Sequence, residues 1–330
     1  MSFIKYKRII EEGDIVIVFL GHQRLHVVTV TRGRVFQAKF GIFPHDDMLG
    51  KEYGTKFFST NRKGWMHVLH PTPELWTLTL PHRTQILYST DISHVTLMLD
   101  LKPGSIVVES GTGSGSMSHA IVRTVAPSGH LYTFEFHQLR CVAAREEFKS
   151  HGMDECVTIE CRDVCKDGFG LEPIADAVFL DLPRPHEAIE HARSVIRPSG
   201  GRLCSFSPCI EQVQATCEEL RRCGFVEVET VECLSRSFDI RSVRLPTLCT
   251  RESNGSDDVV NECEPHAKWK KPGNDDDDGD TCVSDLEVEL KCDEESGASD
   301  CSKFLAVTPN REMPGHTGYL TFATLHAKRK

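Results

Sequence analysis

Ser105-Ile-Val-Val-Glu-Ser-Gly-Thr-Gly-Ser-Gly-Ser116 is the stretch whose reading decides the fold. The β-branched run from Ile106 to Val108 predicts a buried parallel strand, closed by an acid at Glu109. Three glycines, Gly111, Gly113 and Gly115, then lead into Ser118-His-Ala-Ile-Val-Arg123, which reads as a helix. Glycines suit such a turn because it needs positive φ and brings bare backbone N–H groups against a ligand, where the helix N-terminus adds partial positive charge. A dinucleotide fingerprint would carry its third glycine at the sixth position, which here is Ser116, so the pyrophosphate reading is weakened.

The strands that follow sharpen this. His130-Leu-Tyr-Thr-Phe-Glu-Phe136 places Glu135 20 residues after Gly115, where a carboxylate can take both hydroxyls of a ribose. Cys156-Val-Thr-Ile-Glu-Cys161 runs into Arg162-Asp163, and Ala175-Asp-Ala-Val-Phe-Leu180 runs into Asp181-Leu-Pro-Arg-Pro185. In a doubly wound α/β fold the ligand crevice lies outside the carboxyl ends of the strands, so Glu109, Glu135, Asp163 and Asp181 are expected to converge. Between the strands, helices are predicted from Gln138 to Ser150, Pro185 to Ile196 and Ile210 to Arg222, with Arg140 in the first turn near Glu135. Arg202 to Phe206 and Phe225 to Val231 read as the fifth and sixth strands, and Gly318 to Thr324 as the seventh.

Ahead of this sheet, strand-like alternation over 14–20, 25–30 and 34–40, with turns at Gly21-His-Gln and Thr31-Arg-Gly33, predicts a small β-rich domain. Basic residues there (Arg24, Arg32, Lys39, Lys63) lie among aromatics (Phe36, Phe40, Trp65), a mixture that serves phosphate contact and base stacking but equally fits ordinary turn cations over a small barrel. His70 to His82 reads as a proline-bounded connection, followed by a helix capped at Asp91 whose lead-in, Gln85 to Tyr88, is expected over the cofactor mouth.

The net charge of −10 belongs to one segment: Pro246 to Glu312 carries 18 acidic against 7 basic side chains, leaving +1 on the rest of the chain. That stretch is rich in Ser, Gly and Asn, with Asp275-Asp-Asp-Asp278 at its centre and Trp269 as its one possible anchor. It cannot bury enough apolar surface to offset ordering, so a disordered insertion is expected over 246–314. The 14 cysteines show no C-x-x-C pair or paired histidine spacing, which predicts reduced thiols and no metal. No leader and no apolar run near the ~20 residues of a membrane span is apparent, so a soluble protein of a reducing compartment, with no membrane association, is expected.

Taken together, His82 to Tyr88, Glu109-Ser-Gly-Thr-Gly-Ser-Gly115, Phe179-Leu-Asp-Leu-Pro183, Ser205-Phe-Ser-Pro-Cys-Ile-Glu-Gln-Val213 and Gly315-His-Thr-Gly-Tyr-Leu-Thr-Phe-Ala323 closely resemble the catalytic subunits of tRNA N1-methyladenosine (position 58) methyltransferases, within the class I S-adenosylmethionine-dependent superfamily. The resemblance implies an α/β fold, a doubly wound seven-stranded Rossmann-like methyltransferase sheet with a small N-terminal β-rich domain. Its boundaries would be 1–80 for the β-rich domain that contacts RNA or a partner, 81–245 for the methyltransferase domain, 246–314 for the insertion and 315–330 for the final strand.

The resemblance also distributes roles. The backbone of Gly111 to Ser116 (Gly111, Gly113, Ser114, Gly115 and Ser116) would cradle the methionine part of S-adenosylmethionine, Glu135 would bind the ribose, and Asp163 with Val164 the adenine; Gln85, Leu87 and Arg140 would line the same pocket, and Glu109 would belong to the cofactor site as well. Asp181 would face the target base as the catalytic residue. RNA contacts would come from Gly21, His22, Gln37, Lys39, Gly64 and Trp65 in the first domain, and from Tyr88, Leu182, Pro183, Ser205, Phe206 and Ser207 around the target base. Because the turn here is Asp181-Leu-Pro-Arg184, without the aromatic that adenine-amino methyltransferases carry after the acid-proline turn, Tyr88 or Phe206 would have to stack the flipped base. The implied partners are tRNA and a non-catalytic paralogous methyltransferase subunit, in a heterotetramer of two heterodimers, chiefly nuclear with some protein possible in the cytoplasm. N1-adenine methylation of other RNAs, such as messenger RNA with loops like that of tRNA, and a class I methyltransferase with a non-RNA substrate, are the alternatives.

Overall fold

In the computed structural model the described residues are 3–21, 24–80, 87–236, 238–246, 301–309 and 318–327. Alternating apolar residues first build the N-terminal domain from β1 (Ile15–Gly21), β2 (Arg24–Thr29), β3 (Val35–Ala38), β4 (Gly41–Pro44), β5 (Lys56–Phe58) and β6 (Trp65–Leu69). An antiparallel sheet runs in the order β2-β1-β6-β5, and β3 and β4 form a separate hairpin. Val16, Val18, Phe43, Met48, Met66 and Val68 fill its core. On β5 and β6, Phe57 and Met66 point inward, so their neighbours Lys56, Phe58 and Trp65 are turned to solvent.

The proline-bounded connection contains a helix, α1 (Pro73–Thr79). Thr72 caps it, its hydroxyl accepting from the Leu75 N–H at 3.3 Å, and Pro73 sits where a helix needs no N–H. The helix packs on a helix of the sheet that follows: Glu74 pairs with Arg123 at 2.6 Å, and the Thr77 and Ser116 hydroxyls lie 2.7 Å apart. The sequence boundary at residue 80 therefore cuts through a packed contact.

Then come α2 (Ser89–Met98), β7 (Ile106–Ser110), α3 (Ser116–Val125), β8 (His130–Glu135), α4 (Gln138–Ser150), β9 (Val157–Cys161), α5 (Val164–Asp167) and β10 (Ala177–Asp181). A 3-10 turn at Pro185–Ala188 opens α6 (Ile189–Val195), followed by β11 (Gly200–Ser207), α7 (Ile210–Arg222), β12 (Val226–Glu232), β13 (Phe238–Pro246), β14 (Cys301–Pro309) and β15 (Tyr319–His326). The seven-stranded sheet has the order β12-β15-β11-β10-β7-β8-β9, with β15 antiparallel to both of its neighbours. Val95, Ile121, Val125 and Phe148 cover one face, and Ile189, Val195 and Leu220 the other. Strand order reverses between β7 and β10, where a doubly wound sheet opens a crevice.

The expectation of disorder over 246–314 fails near its far end. Cys301–Pro309 is a strand, paired residue for residue with Phe238–Pro246 in an antiparallel hairpin that belongs to a separate unit, Arg236–Met313. Phe304, Leu305 and Val307 give this segment the apolar content the acidic stretch lacks, which an average over the whole insertion hides. Ile240 pairs with Val307 and Ser242 with Leu305, so Phe238, Ile240, Leu305 and Val307 share one face of the hairpin, and all four are exposed. Trp269 and Asp275–Asp278 lie outside the described residues.

Candidate active site

Two backbone requirements shape the turn after β7. Gly111 has φ +96°, donates its N–H to the Phe134 carbonyl at 2.9 Å, and lies so close to the end of β10 that a Cβ would run into the Asp181 carbonyl oxygen. Gly115, φ +75°, is the N-cap of α3 and abuts Phe148 and His119. Glycine is thus demanded here by close approach and by left-handed backbone, as the sequence implied.

Around this turn a cleft of about 560 Å³ opens at the carboxyl ends of the strands, within the ~300–1,000 Å³ range of small-ligand sites. Of the expected cofactor residues, Leu87, Gly111, Gly113, Ser114, Ser116, Glu135, Arg140, Asp163 and Val164 line it. Asp181, Leu182, Pro183 and Phe206 complete the same cleft from β10 and β11, so the acids of β8, β9 and β10 do converge.

Glu109 does not reach the cleft. It is buried, with Oε2 accepting from the Ser118 hydroxyl at 2.6 Å, and burial pushes its carboxyl up to about 7. On the strand it points the way opposite to Val108 and Ser110, into the base of the glycine turn, so it braces α3 rather than touching a ligand. Gly115 likewise backs the cleft. Ser205 and Ser207 alternate with Phe206 on β11; their hydroxyl oxygens are buried without a hydrogen-bond partner among the described residues, and neither serine lines the cleft. Tyr88 is the N-cap of α2, exposed and outside the cleft lining, which leaves Phe206 as the aromatic of the expected pair that borders the cleft. Gly21, Gln37, Lys39, Gly64 and Trp65 sit in the N-terminal domain and do not line the cleft; Gln85 and His22 lie outside the described residues.

Glu135 is preorganised. Its Oε2 accepts from the Gly113 N–H at 3.0 Å, and its Oε1 accepts from the His137 N–H at 2.9 Å and pairs with Arg140 at 2.9 Å. Asp181 lies opposite, at the end of β10; burial first, and then the Glu135 charge, push its carboxyl up to about 7. The turn that follows Asp181 is held by a residue sequence reading missed: Gln212 donates from Nε2 to the Pro183 carbonyl at 2.8 Å and accepts at Oε1 from the Cys209 N–H at 3.2 Å. It is a capping-box residue of α7, so its spacing from Cys209 was a readable signal, but its reach to Pro183 was not.

Phe136, Met117, Arg162, Lys166 and Arg184 also border the cleft without having been singled out for it. Phe136 was the nearest to legible, an exposed aromatic directly after Glu135. The cationic rim is balanced locally, Lys166 by Asp163 at 3.3 Å and Arg184 by Glu187 at 2.7 Å.

Residues 64–325 match the family described as the tRNA methyltransferase complex GCD14 subunit. The chain is 52% identical over 238 residues to a Dictyostelium discoideum tRNA (adenine(58)-N(1))-methyltransferase catalytic subunit, covering 71% of this chain and 76% of that one. It is 41% identical over 339 residues to the Candida albicans protein of the same description, covering 98% of each. Two solved structures share the fold: a SAM-dependent O-methyltransferase from Thermotoga maritima (TM-score 0.71, 23% identity, 98% of this chain and 97% of that one) and the tRNA (m1A58) methyltransferase TrmI from Aquifex aeolicus (TM-score 0.65, 21%, 96% and 98%). With the glycine turn, the ribose-type acid and the Asp181 turn gathered in one crevice, the chain belongs to the family of GCD14 subunits of the tRNA methyltransferase complex.

Proposed function

We propose that this chain transfers a methyl group from S-adenosylmethionine to N1 of adenine 58 in the T-loop of tRNA, as the catalytic subunit of a hetero-oligomer. The observation that carries the reading is the placement of Asp181 in one cleft with the Gly111–Ser116 turn and Glu135. The residues fit the cofactor: Gly111 leaves no room for a side chain between the turn and β10, Ser116 presents the N-terminus of α3 toward an anionic group, and Glu135 offers a carboxylate to a ribose. When bound, the cofactor supplies an activated methyl on a sulfonium.

The protein's own work is positioning and charge. Adenine N1 carries an in-plane lone pair, so attack needs no prior deprotonation, but the methylated ring is cationic. As a carboxylate, Asp181 accepts from the exocyclic amino group, orients the base in line with the methyl and stabilises the charge that develops. Burial first, and then the Glu135 charge, push the Asp181 carboxyl up to about 7, so its carboxylate form prevails only above that pH. Leu182 and Pro183 form the wall beside it, and Phe206 offers a face to a base extruded from the loop, an extrusion that costs on the order of a few kcal/mol.

A non-catalytic paralogous subunit, in two heterodimers, fits two features. The chain outside the acidic segment is nearly neutral, which leaves much of the RNA grip to another subunit, and the hairpin of β13 and β14 carries an exposed apolar face. On the N-terminal domain, the Lys56 ammonium lies 4.4 Å from the centroid of the exposed Trp65 ring, a pairing of cation and stacking surface that suits RNA. Nuclear residence, with some protein in the cytoplasm, belongs to the same reading, and cell fractionation tests it.

The deciding experiment incubates unmodified tRNA and labelled S-adenosylmethionine with the chain, alone and with its paralogous subunit, and maps methylation by primer extension. A partner-dependent stop at position 58 is expected, since an N1 methyl blocks Watson–Crick pairing. Cofactor binding with stops only in other RNAs would move the substrate to loops of similar shape; binding with no stop in any RNA would overturn the RNA reading.

A further inference from the structure

Behind the glycine turn two fully buried histidines meet that transfer chemistry does not use: His119 on α3 and His151 at the C-cap of α4. His119 Nε2 and His151 Nδ1 are 2.7 Å apart, and His119 Nδ1 is 2.6 Å from the Gly115 carbonyl oxygen. The carbonyl can only accept, so His119 carries its proton on Nδ1. Its Nε2 must then accept, and His151 donates from Nδ1. One tautomer of each ring satisfies the chain of bonds. Burial lowers His119 to about 4 and His151 to about 3, consistent with two neutral rings. Phe3, Trp76 and Phe148 pack around the pair, and the Phe3 N–H donates to the His151 carbonyl at 3.0 Å.

His119, His151 and Glu147 also bring ligand atoms within 4.8 Å of one another. Two nitrogens on one tetrahedral zinc, each bonded at ~2.0–2.1 Å, stand about 3.3 Å apart. The 2.7 Å separation of the two ring nitrogens is that of a hydrogen bond.

The Gly115 carbonyl receives a second bond, the helical one from the His119 N–H at 3.0 Å. With its oxygen held from both directions, the planar trans peptide fixes the N–H of Ser116 on the opposite side, at the N-terminus of α3, and Ser116 lines the cleft. We propose that His119 and His151 are positioning residues, a neutral relay that locks the Gly115–Ser116 peptide so that the N-terminal N–H groups of α3 are aimed at the carboxylate end of the cofactor. This rests on the reading that the cleft holds S-adenosylmethionine.

The test measures S-adenosylhomocysteine binding to the full chain by calorimetry, for the wild type and for His119→Leu, His119→Asn and His151→Leu. Leucine at 119 is expected to weaken binding about tenfold, the worth of one lost buried hydrogen bond. Asparagine, which places an amide N–H where Nδ1 stood, is expected to stay within about threefold of wild type, and His151→Leu to fall between. Nitrogen-15 spectra of the wild-type histidine rings supply a readout that needs no variant. They should show His119 protonated at Nδ1 alone and unchanged from pH 8 to pH 5. Binding by His119→Leu within twofold of wild type, no rescue by asparagine, or the opposite His119 tautomer would each overturn the relay. Wild-type protein that binds no S-adenosylhomocysteine would instead overturn the cofactor reading, with the ring spectra still deciding the hydrogen-bond chain.

Discussion

The two walls of the cleft are held in opposite ways. The Gly111–Ser116 wall is fixed from behind by main-chain packing against β8 and β10, by Glu109 on Ser118 and by the buried histidines on Gly115. The Asp181–Arg184 wall ends in exposed residues, and one side-chain amide, Gln212 on the Pro183 carbonyl, spans it. A fixed wall suits a cofactor that enters in the same form at the start of every turnover. A lightly held wall suits a base that must be drawn from a folded RNA and released after it has gained charge.

Substituting the fixed wall should therefore cost most. Gly111→Ala puts a methyl into the Asp181 carbonyl at a positive φ, and should lower stability by more than about 2 kcal/mol and activity beyond a hundredfold, read by thermal unfolding and methyl transfer together. Normal behaviour of that variant would mean the two strands can part freely. On the other wall, Asp181→Ala should reduce single-turnover transfer by a hundredfold or more while S-adenosylhomocysteine affinity stays within severalfold; a near-normal rate would remove Asp181 from the chemistry.

Asp181 also gives the reaction its pH dependence. Because its folded-state carboxyl is raised to about 7, it gains a proton as pH falls through that value. The single-turnover rate should drop about tenfold per pH unit below 7 and level off above it, a limb that Asp181→Asn should abolish. A rate flat from pH 6 to 8 would show that the bound complex has no such group.

Smaller effects are expected where the wall is only steadied. Gln212→Leu should lower kcat/KM for tRNA about tenfold and leave cofactor affinity unchanged; loss of cofactor binding would show that the two walls are coupled. Least should follow from removing residues 251–298, which spare both strands of the hairpin: activity within twofold of wild type. Removing 251–312 also takes away β14 and leaves β13 unpaired, so lost assembly with the paralogous subunit is expected from this longer deletion alone. Equal behaviour of the two deletions would separate the hairpin from assembly.

Much of the site was legible because it is local. Gly111, Glu135, Asp163 and Asp181 each stand at the end of a strand, and the doubly wound topology delivers successive strand ends to one edge. Glu109 shares that place in the sequence yet is turned inward, since a one-residue step along a strand reverses the side chain's direction. For the same reason Ser205 and Ser207 fall behind Phe206. The hairpin escaped notice because its two strands are separated by a long acidic stretch whose composition swamps that of Cys301–Pro309.

What the sequence by itself determined was the strand, glycine turn and helix at 105–123, the succession of acids and the seven strands that carry them. These depend on periodicity and backbone conformation, which neighbouring residues largely set. Only the tertiary structure decided that His119 meets His151, that Gln212 reaches Pro183 and that α1 packs against α3. Each joins side chains far apart in the chain through geometry fixed by the packing of whole elements, and no local pattern encodes such a meeting.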